Sequence, residues 1–101
     1  MESPILIDVW TVDASRRDEL VRGILELLRG LVIKRPGFVS AQLYESNDGG
    51  AAIVSIRMET REDRQGLTDS PEAQEGYREL RKIALSHQRL FRLVESFGEP
   101  A

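Results

Sequence analysis

Residues 38–59 read FVSAQLYESNDGGAAIVSIRME, and this stretch decides the fold. Its two halves, Phe38–Glu45 and 51–59, each have the two-residue side-chain period of a β-strand. The residues between them, Asn47-Asp48-Gly49-Gly50, are a strong turn signal. The stretch therefore predicts an antiparallel hairpin.

A strand and a helix precede the hairpin. Residues 5–12, ILIDVWTV, predict a strand in which neither face is cleanly polar. The helix is expected to begin at Ser15, whose hydroxyl can cap a free backbone N–H, and to stop before Pro36-Gly37. A wide apolar face on this helix is formed by two stripes: Leu20, Ile24, Leu27 and Leu31, with Val21, Leu25, Leu28 and Val32.

A second helix and a last strand follow the hairpin. Ser70-Pro71-Glu72 predicts a helix start, with the serine as cap and the proline in the first turn. This helix is expected to fray near Ser86, and the polar stretch 60–68 is expected to begin with a short helical turn. The last strand is predicted over 89–97 and a tail over 98–101.

Two strand–helix–strand units in series predict an α+β, ferredoxin-like βαββαβ fold. Its four-stranded antiparallel sheet carries both helices on one face. The 101 residues suit a single domain over 1–101, with its core at about 5–97. The other sheet face has no helix to cover it, although the strands carry apolar residues on both sides. We therefore expect a homodimer in which two sheets pack face to face.

Composition excludes several classes of function. The net charge is −3, and the 14 basic and 17 acidic residues are interspersed, which argues against nucleic-acid or membrane partners. The chain has no cysteine and one histidine, so no metal site is expected. No segment looks like a membrane span or a signal peptide, so a cytoplasmic location is the default expectation.

Three further motifs accompany the hairpin strands: Arg35-Pro36-Gly37-Phe38, Glu59-Thr60-Arg61-Glu62-Asp63 and Asp69-Ser70-Pro71-Glu72. In these motifs and their order, the sequence resembles the antibiotic biosynthesis monooxygenase family of dimeric α+β barrel proteins over roughly 5–97. The resemblance implies a homodimer and an enzyme that oxidises a small aromatic or polyketide-like compound with O₂ and no cofactor. In such a reaction the substrate is deprotonated and its anion passes an electron to O₂.

The chain departs from this family at the end of the third strand, where many members carry tryptophan and this chain has Met58. Haem-degrading members use an asparagine in the first strand and a histidine in the second helix, where this chain has Asp8 and the region 76–78. Haem degradation is therefore not expected. Three functions stay open: a cofactor-independent monooxygenase, a non-catalytic dimeric binding or accessory protein, and a cyclase or isomerase that does not use O₂.

Two residues are candidate bases. Histidine titrates near neutral pH, and His87 is expected at the junction of the second helix and the last strand. A histidine there can equally be a solvent-facing connector or a partner for the helix end. Asp8 is a polar residue in an otherwise apolar strand, and burial would let it accept a proton by raising its pKa. A hydrogen-bonded or dimer-facing acid is the alternative for Asp8.

Three aromatic residues, Trp10, Tyr44 and Tyr77, are candidate walls of a substrate pocket. For Trp10 the competing interpretation is ordinary core packing. Arg57 could donate hydrogen bonds to a substrate oxygen, or form a cross-strand ion pair with a residue such as Asp8. Beside it along the strand, the side chain at position 58 is a flexible methionine, suited to lining a pocket or to filling the core.

Overall fold

The computed structural model describes residues 4–98, so most of the tail predicted at 98–101 lies outside the described residues. Two short 3₁₀ turns, Ala14–Arg16 and Val32–Lys34, flank the first helix. In chain order the helices and strands are β1 (Ile5–Val12), α1 (Arg17–Gly30), β2 (Phe38–Glu45), β3 (Ala51–Met58), α2 (Arg61–Asp69), α3 (Pro71–Leu80) and β4 (Ala84–Phe91).

The four strands form one antiparallel sheet in the order β2-β3-β1-β4. This confirms the predicted ferredoxin-like α+β fold. β1 is a central strand, and Asp8 at its middle stands between Val54 of β3 and Gln88 of β4. β4 is an edge strand, so it pairs with β1 on one side and has no strand of this sheet on its other side.

The helices cover one face of the sheet, and the core lies between the two layers. Alternate residues of β1 and β3 point into this core because strand side chains alternate between faces. The buried residues of the core come from all three helices as well as from the strands: Leu6, Trp10, Val12, Leu20, Ile24, Val32, Ala52, Val54, Ile56, Met58, Leu67, Ala73, Leu80 and Ala84.

Two glycines let α1 and α3 approach each other closely. A Cβ atom added to Gly23 would lie 2.5 Å from the Leu80 side chain, and one added to Gly76 would lie 2.3 Å from the Leu27 side chain. Each helix therefore offers a glycine to a leucine of the other. This contact fixes α3 above the sheet, and α3 supplies most of the cleft described below.

The helix starts differ in part from the predictions. Ser15 does not cap the first helix, because it lies in the 3₁₀ turn that precedes α1, and α1 begins without a side-chain cap. Asp13 caps that turn: its carboxylate accepts hydrogen bonds from both the backbone N–H (2.9 Å) and the hydroxyl (2.7 Å) of Ser15. The segment at 60–68 forms the nine-residue α2, longer than the single turn expected, with Thr60 as its cap. The predicted cap of α3 is confirmed, since the Ser70 hydroxyl accepts from the N–H of Ala73 at 3.3 Å.

The prediction for the last strand was wrong by about five residues. α3 ends at Leu80, and β4 begins at Ala84 rather than at Arg89. The strand stops at Phe91, which pairs with Ile5, the first residue of β1. Residues 92–97 follow the strand and are not part of it.

A bulge in β2 changes which side chains share a face. The register shifts between Phe38 and Ser40, so Val39 is an extra residue and is exposed. Phe38 consequently packs against the core. Strict alternation along the strand would instead put its side chain on the same face as those of Ser40 and Tyr44. Bulges of this kind reorient a strand end without breaking the hairpin.

Candidate functional site

Asp8 is the most unusual residue of the covered face. Its side chain is 2% exposed, and neither carboxylate oxygen accepts a hydrogen bond from any residue in the described range. Burial raises its pKa from 3.8 to about 6, and the positive charge of Arg81 partly opposes this shift. A buried acid without a partner is costly to a fold, so such a group is a candidate for function.

Trp10 and Tyr77 form a stacked aromatic pair beside this carboxylate. Their ring centroids are 5.9 Å apart and the planes differ by 3°. Burial, and then the negative charge of Asp8, raise the pKa of Tyr77 to about 12, whereas Arg81 and the Gln88 side chain act in the opposite direction. Tyr77 therefore keeps its proton at neutral pH and can act as a hydrogen-bond donor but not as a base.

A polar cleft of about 400 Å³ opens between α3, the end of α2 and the edge strand β4. Arg81 stands in it with its guanidinium 5.6 Å from the centre of the Tyr77 ring, and its Nε donates to the Ser86 hydroxyl at 3.1 Å. The residues that line the cleft are Thr68, Gln74, Tyr77, Arg78, Arg81 and Gln88. Among them, only Tyr77 was a candidate from the sequence.

One sequence signal could have revealed the cleft. Gln74, Tyr77, Arg78 and Arg81 follow one another at spacings of three, one and three, which places them on one side of a helix. That side carries two cations and an amide next to an aromatic ring, and of its four residues Tyr77 alone packs against the core. The role of Gln88 could not be found in this way because the strand that holds it was placed too late.

An apolar cavity adjoins the cleft on the side of the core. It offers about 20 Å³ for the centre of a water-sized molecule. Apart from Thr68, Trp10 and Tyr77, its walls are aliphatic side chains of β1, β3 and the helices, among them Leu6, Ile24 and Val32. Thr68 and Tyr77 line both spaces and thus form a shared wall.

Of the residues proposed from the sequence, Asp8, Trp10 and Tyr77 are brought together. His87 lies in β4 and not at a helix–strand junction, so the prediction of its position was wrong. It pairs with Val9 and is on the sheet face opposite Asp8. The same open face carries Arg57, which pairs with Ile5, so the predicted ion pair between Arg57 and Asp8 does not form.

The two remaining candidates also lie away from the cleft. Tyr44 is 58% exposed on the open face, opposite Ile53 in the register. Met58 is fully buried in the core and lines neither the cleft nor the cavity. Both residues thus lie apart from the pair formed by Trp10 and Tyr77.

The described residues also bear on metals and membranes. Across residues 4–98 no group of three or more potential ligand side chains is arranged to hold a metal ion. Every helix in that range is too short or too polar to cross a lipid bilayer.

No protein-family model matches the chain, and no curated protein matches its sequence. Solved structures do. The monooxygenase ActVA-Orf6 of Streptomyces coelicolor, solved with the ligand nanaomycin D, has a TM-score of 0.84 at 16% identity, covering 98% of this chain and 94% of that one. SnoaB of Streptomyces nogalater, a cofactor-independent oxygenase, has a TM-score of 0.75 at 16% identity, covering 98% of this chain and all of that one.

A third similar structure is a Deinococcus radiodurans protein provisionally named an antibiotic biosynthesis monooxygenase. Its TM-score is 0.83 at 9% identity, and the match covers 97% of this chain and 99% of that one. The chain therefore has the fold of structures that carry the name antibiotic biosynthesis monooxygenase. At identities this low, the likeness establishes the fold alone, and any proposal about the chemistry has to be argued from the residues of the site.

Proposed function

We propose that the chain belongs to the antibiotic biosynthesis monooxygenases and oxidises a small aromatic or polyketide-like substrate with O₂ and no cofactor. The observation that carries the proposal is the unpartnered, buried Asp8 carboxylate next to an aromatic pair and a cleft of substrate size. The similar structures support the reaction class, because one is named a cofactor-independent oxygenase and another is a monooxygenase solved with the ligand nanaomycin D.

Asp8 is the proposed base. With a pKa of about 6 it is mostly ionised at pH 7, and it binds a proton more tightly than a solvated carboxylate does. Gln88 stands beside Asp8 on the edge strand and lines the cleft. Asp8 itself does not line the cleft. The proposal therefore requires side chains between the cleft and the carboxylate to move when the substrate binds, and Gln88, which is exposed, is the proposed moving residue.

The proposed reaction converts an activated methylene group and O₂ into a carbonyl group and water. Asp8 removes one C–H proton, and the carbanion gives one electron to O₂. The carbon radical and superoxide combine into a peroxide, to which Asp8 returns its proton. Asp8 then takes the second C–H proton as the O–O bond breaks, and the departing hydroxide leaves with that proton as water. The substrate thus supplies all the electrons that O₂ needs: two reduce the oxygen atom that stays in the carbonyl group, and two reduce the oxygen atom that leaves as water.

Arg81 and Tyr77 have supporting roles in this proposal. The Arg81 guanidinium lines the cleft and carries the charge that acts on Asp8, so it can stabilise the substrate anion. Tyr77, stacked on Trp10, lines the cleft with its ring and has a hydroxyl that stays protonated. Because the substrate anion is the reductant, its stabilisation also sets how readily it gives an electron to O₂.

We also propose that the protein works as a homodimer joined through the open sheet faces. Large apolar side chains are exposed on this face without a helix over them, including Val9, Tyr44, Ile53, Leu85 and Phe91. Monomers rarely expose an apolar surface of this extent. A second copy would cover it and would leave the cleft on the opposite side accessible.

A cyclase or isomerase that does not use O₂ is the second candidate, since a single buried base such as Asp8 is sufficient for proton transfer. Purified protein given hydroxylated anthrones and naphthacenes under air and under nitrogen separates the two. Oxygen uptake with turnover only under air supports the monooxygenase. Turnover under nitrogen supports the isomerase, and binding without turnover in either gas contradicts both.

A further inference from the structure

We infer that the apolar cavity between the sheet and the helices is the site that holds O₂ before it reacts. The inference rests on the proposed function, which requires O₂ to meet a substrate anion near Asp8. The polar cleft does not offer a suitable place, because its arginine and glutamine side chains favour water over an apolar gas. The cavity next to it has the opposite character.

Size and lining favour a small apolar molecule. The centre of a water-sized molecule has about 20 Å³ in which to move, which suits a single diatomic molecule and excludes the aromatic substrate. Water needs two to four polar partners to occupy a cavity. Eleven of the fourteen residues that line this cavity are aliphatic, and Thr68, Trp10 and Tyr77 are the lining residues that carry side-chain polar atoms. O₂ forms no strong hydrogen bonds, so it loses little on leaving water for such a space.

Position links the cavity to the reaction. Tyr77 and Thr68 line both the cavity and the cleft, so O₂ held behind them is one side chain away from a substrate in the cleft. Trp10 also lines the cavity and stacks on Tyr77. Once the substrate gives O₂ an electron, the superoxide anion is unfavourable among aliphatic groups and is drawn towards Arg81 in the cleft. In this proposal the apolar cavity holds O₂, and the polar cleft holds the charged superoxide.

Two valine-to-isoleucine substitutions separate this site from general core packing. Val32→Ile adds a methyl group at the cavity wall, whereas Val12→Ile adds the same group in the core at a residue that does not line the cavity. The two valines are similarly buried, at 5% and 7% exposure, so their packing costs should be comparable. Val54→Ile is a second cavity variant should Val32→Ile fail to fold.

The first measurement is xenon binding, by ¹²⁹Xe NMR in solution and by a crystal structure under xenon pressure. Xenon is apolar and fills dry cavities, so the wild-type protein and Val12→Ile should bind it among Leu6, Ile24 and Val32. Val32→Ile should bind it much more weakly. The second measurement is the KM for O₂, which should rise about fivefold in Val32→Ile, with little change in the KM for the organic substrate or in Val12→Ile.

The two measurements can overturn the O₂ site in three ways. No xenon in the wild-type cavity overturns the inference. Xenon in the cavity together with an unchanged KM for O₂ in both cavity variants also overturns it, while leaving the proposed function standing. If no substrate supports O₂ uptake by the wild-type protein, the proposed function fails and the O₂ site fails with it.

Discussion

The helix-covered face and the open face of the sheet are made by the same four strands and have opposite chemistry. On the covered face, β1 buries Asp8 at 2% exposure and Trp10 at 1%, next to the cleft. On the open face, the same strand leaves Val9 40% exposed beside His87. The histidine, the residue type usually chosen as a base, is thus on the face away from the cleft, and the base that we propose is the buried carboxylate. In this proposal the burial of a group matters more than its residue type.

The largest expected effect comes from replacing each of the two candidate bases, Asp8 and His87, in a separate variant. Asp8→Asn keeps the shape of the side chain and removes the proton acceptor, so kcat should fall by roughly 10²–10⁴-fold. His87→Ala, on the open face, should change kcat by less than about twofold. Oxygen uptake under air measures both. A large loss in His87→Ala with little loss in Asp8→Asn would reverse the assignment of the two faces.

Breaking the apolar character of the open face should separate assembly from chemistry. Ile53→Glu places a charge in the centre of the proposed interface, and we expect dimer dissociation to become easier by about 30-fold or more. Ile33→Glu is the matched control, because Ile33 is also exposed but lies in the 3₁₀ turn after α1. Light scattering across a concentration series measures the mass. A wild-type monomer at micromolar concentration would contradict the proposed dimer.

The raised pKa of Asp8 has a consequence for stability. Since the folded pKa of about 6 lies above the ordinary 3.8, the folded chain binds this proton more tightly than the unfolded chain. The acid therefore costs no stability below about pH 4, its cost grows between about pH 4 and pH 6, and the cost is constant at higher pH. Relative to wild type, Asp8→Asn should gain about 1–2 kcal/mol of stability between pH 4 and pH 7.

Urea unfolding at several pH values measures this difference, and Asp48→Asn supplies a control of opposite sign. Hydrogen bonds from the Ser46 hydroxyl and then from the Gly50 N–H hold the pKa of Asp48 below its ordinary value. Its carboxylate therefore stabilises the fold at neutral pH, and this contribution is lost as the pH falls. Parallel pH profiles for the two variants would contradict the special environment assigned to Asp8.

A smaller effect is expected from the aromatic pair. Tyr77→Phe keeps the stacking on Trp10 and removes only the hydroxyl, so substrate binding should weaken by no more than about threefold. Tyr77→Leu removes the stacking, and a loss of about tenfold is expected. Because Trp10 is the only tryptophan in the chain, its fluorescence reports on both variants and on substrate binding directly. Equal losses in the two variants would assign the effect to the hydroxyl.

Much of this fold was predictable from the sequence, because β1, the hairpin and the cap at Ser70 all depend on local signals. The start of β4 was not predictable in the same way. The turn at 81–83 reads RKI and contains neither glycine nor proline, and the edge strand carries polar residues on both faces. The strand ends where Ile5 ends its pairing, which depends on a partner 86 positions away in the sequence and not on the alternating residues after Phe91.

The candidate site was predictable only in part for the same reason. Asp8 was detectable as an acid in an apolar strand, and Trp10 was on the same face by simple alternation. Arg81 could have been found from the helical spacing of Gln74, Tyr77 and Arg78. Gln88 could not, because its place depends on where β4 begins. The position of α3 above the sheet depends on its contacts with α1 at Gly23 and Gly76, which no local pattern in the sequence records.

The proposed function depends most on the state of Asp8, an unpartnered acid held in a desolvating environment next to the cleft. Titration of its carboxyl carbon by ¹³C NMR, with Asp8→Asn to assign the signal, tests this directly. The structure predicts a pKa of about 6, well above the ordinary 3.8. A value near 4 would show that water or a hydrogen-bond donor reaches the carboxylate, and it would contradict the assignment of Asp8 as the base.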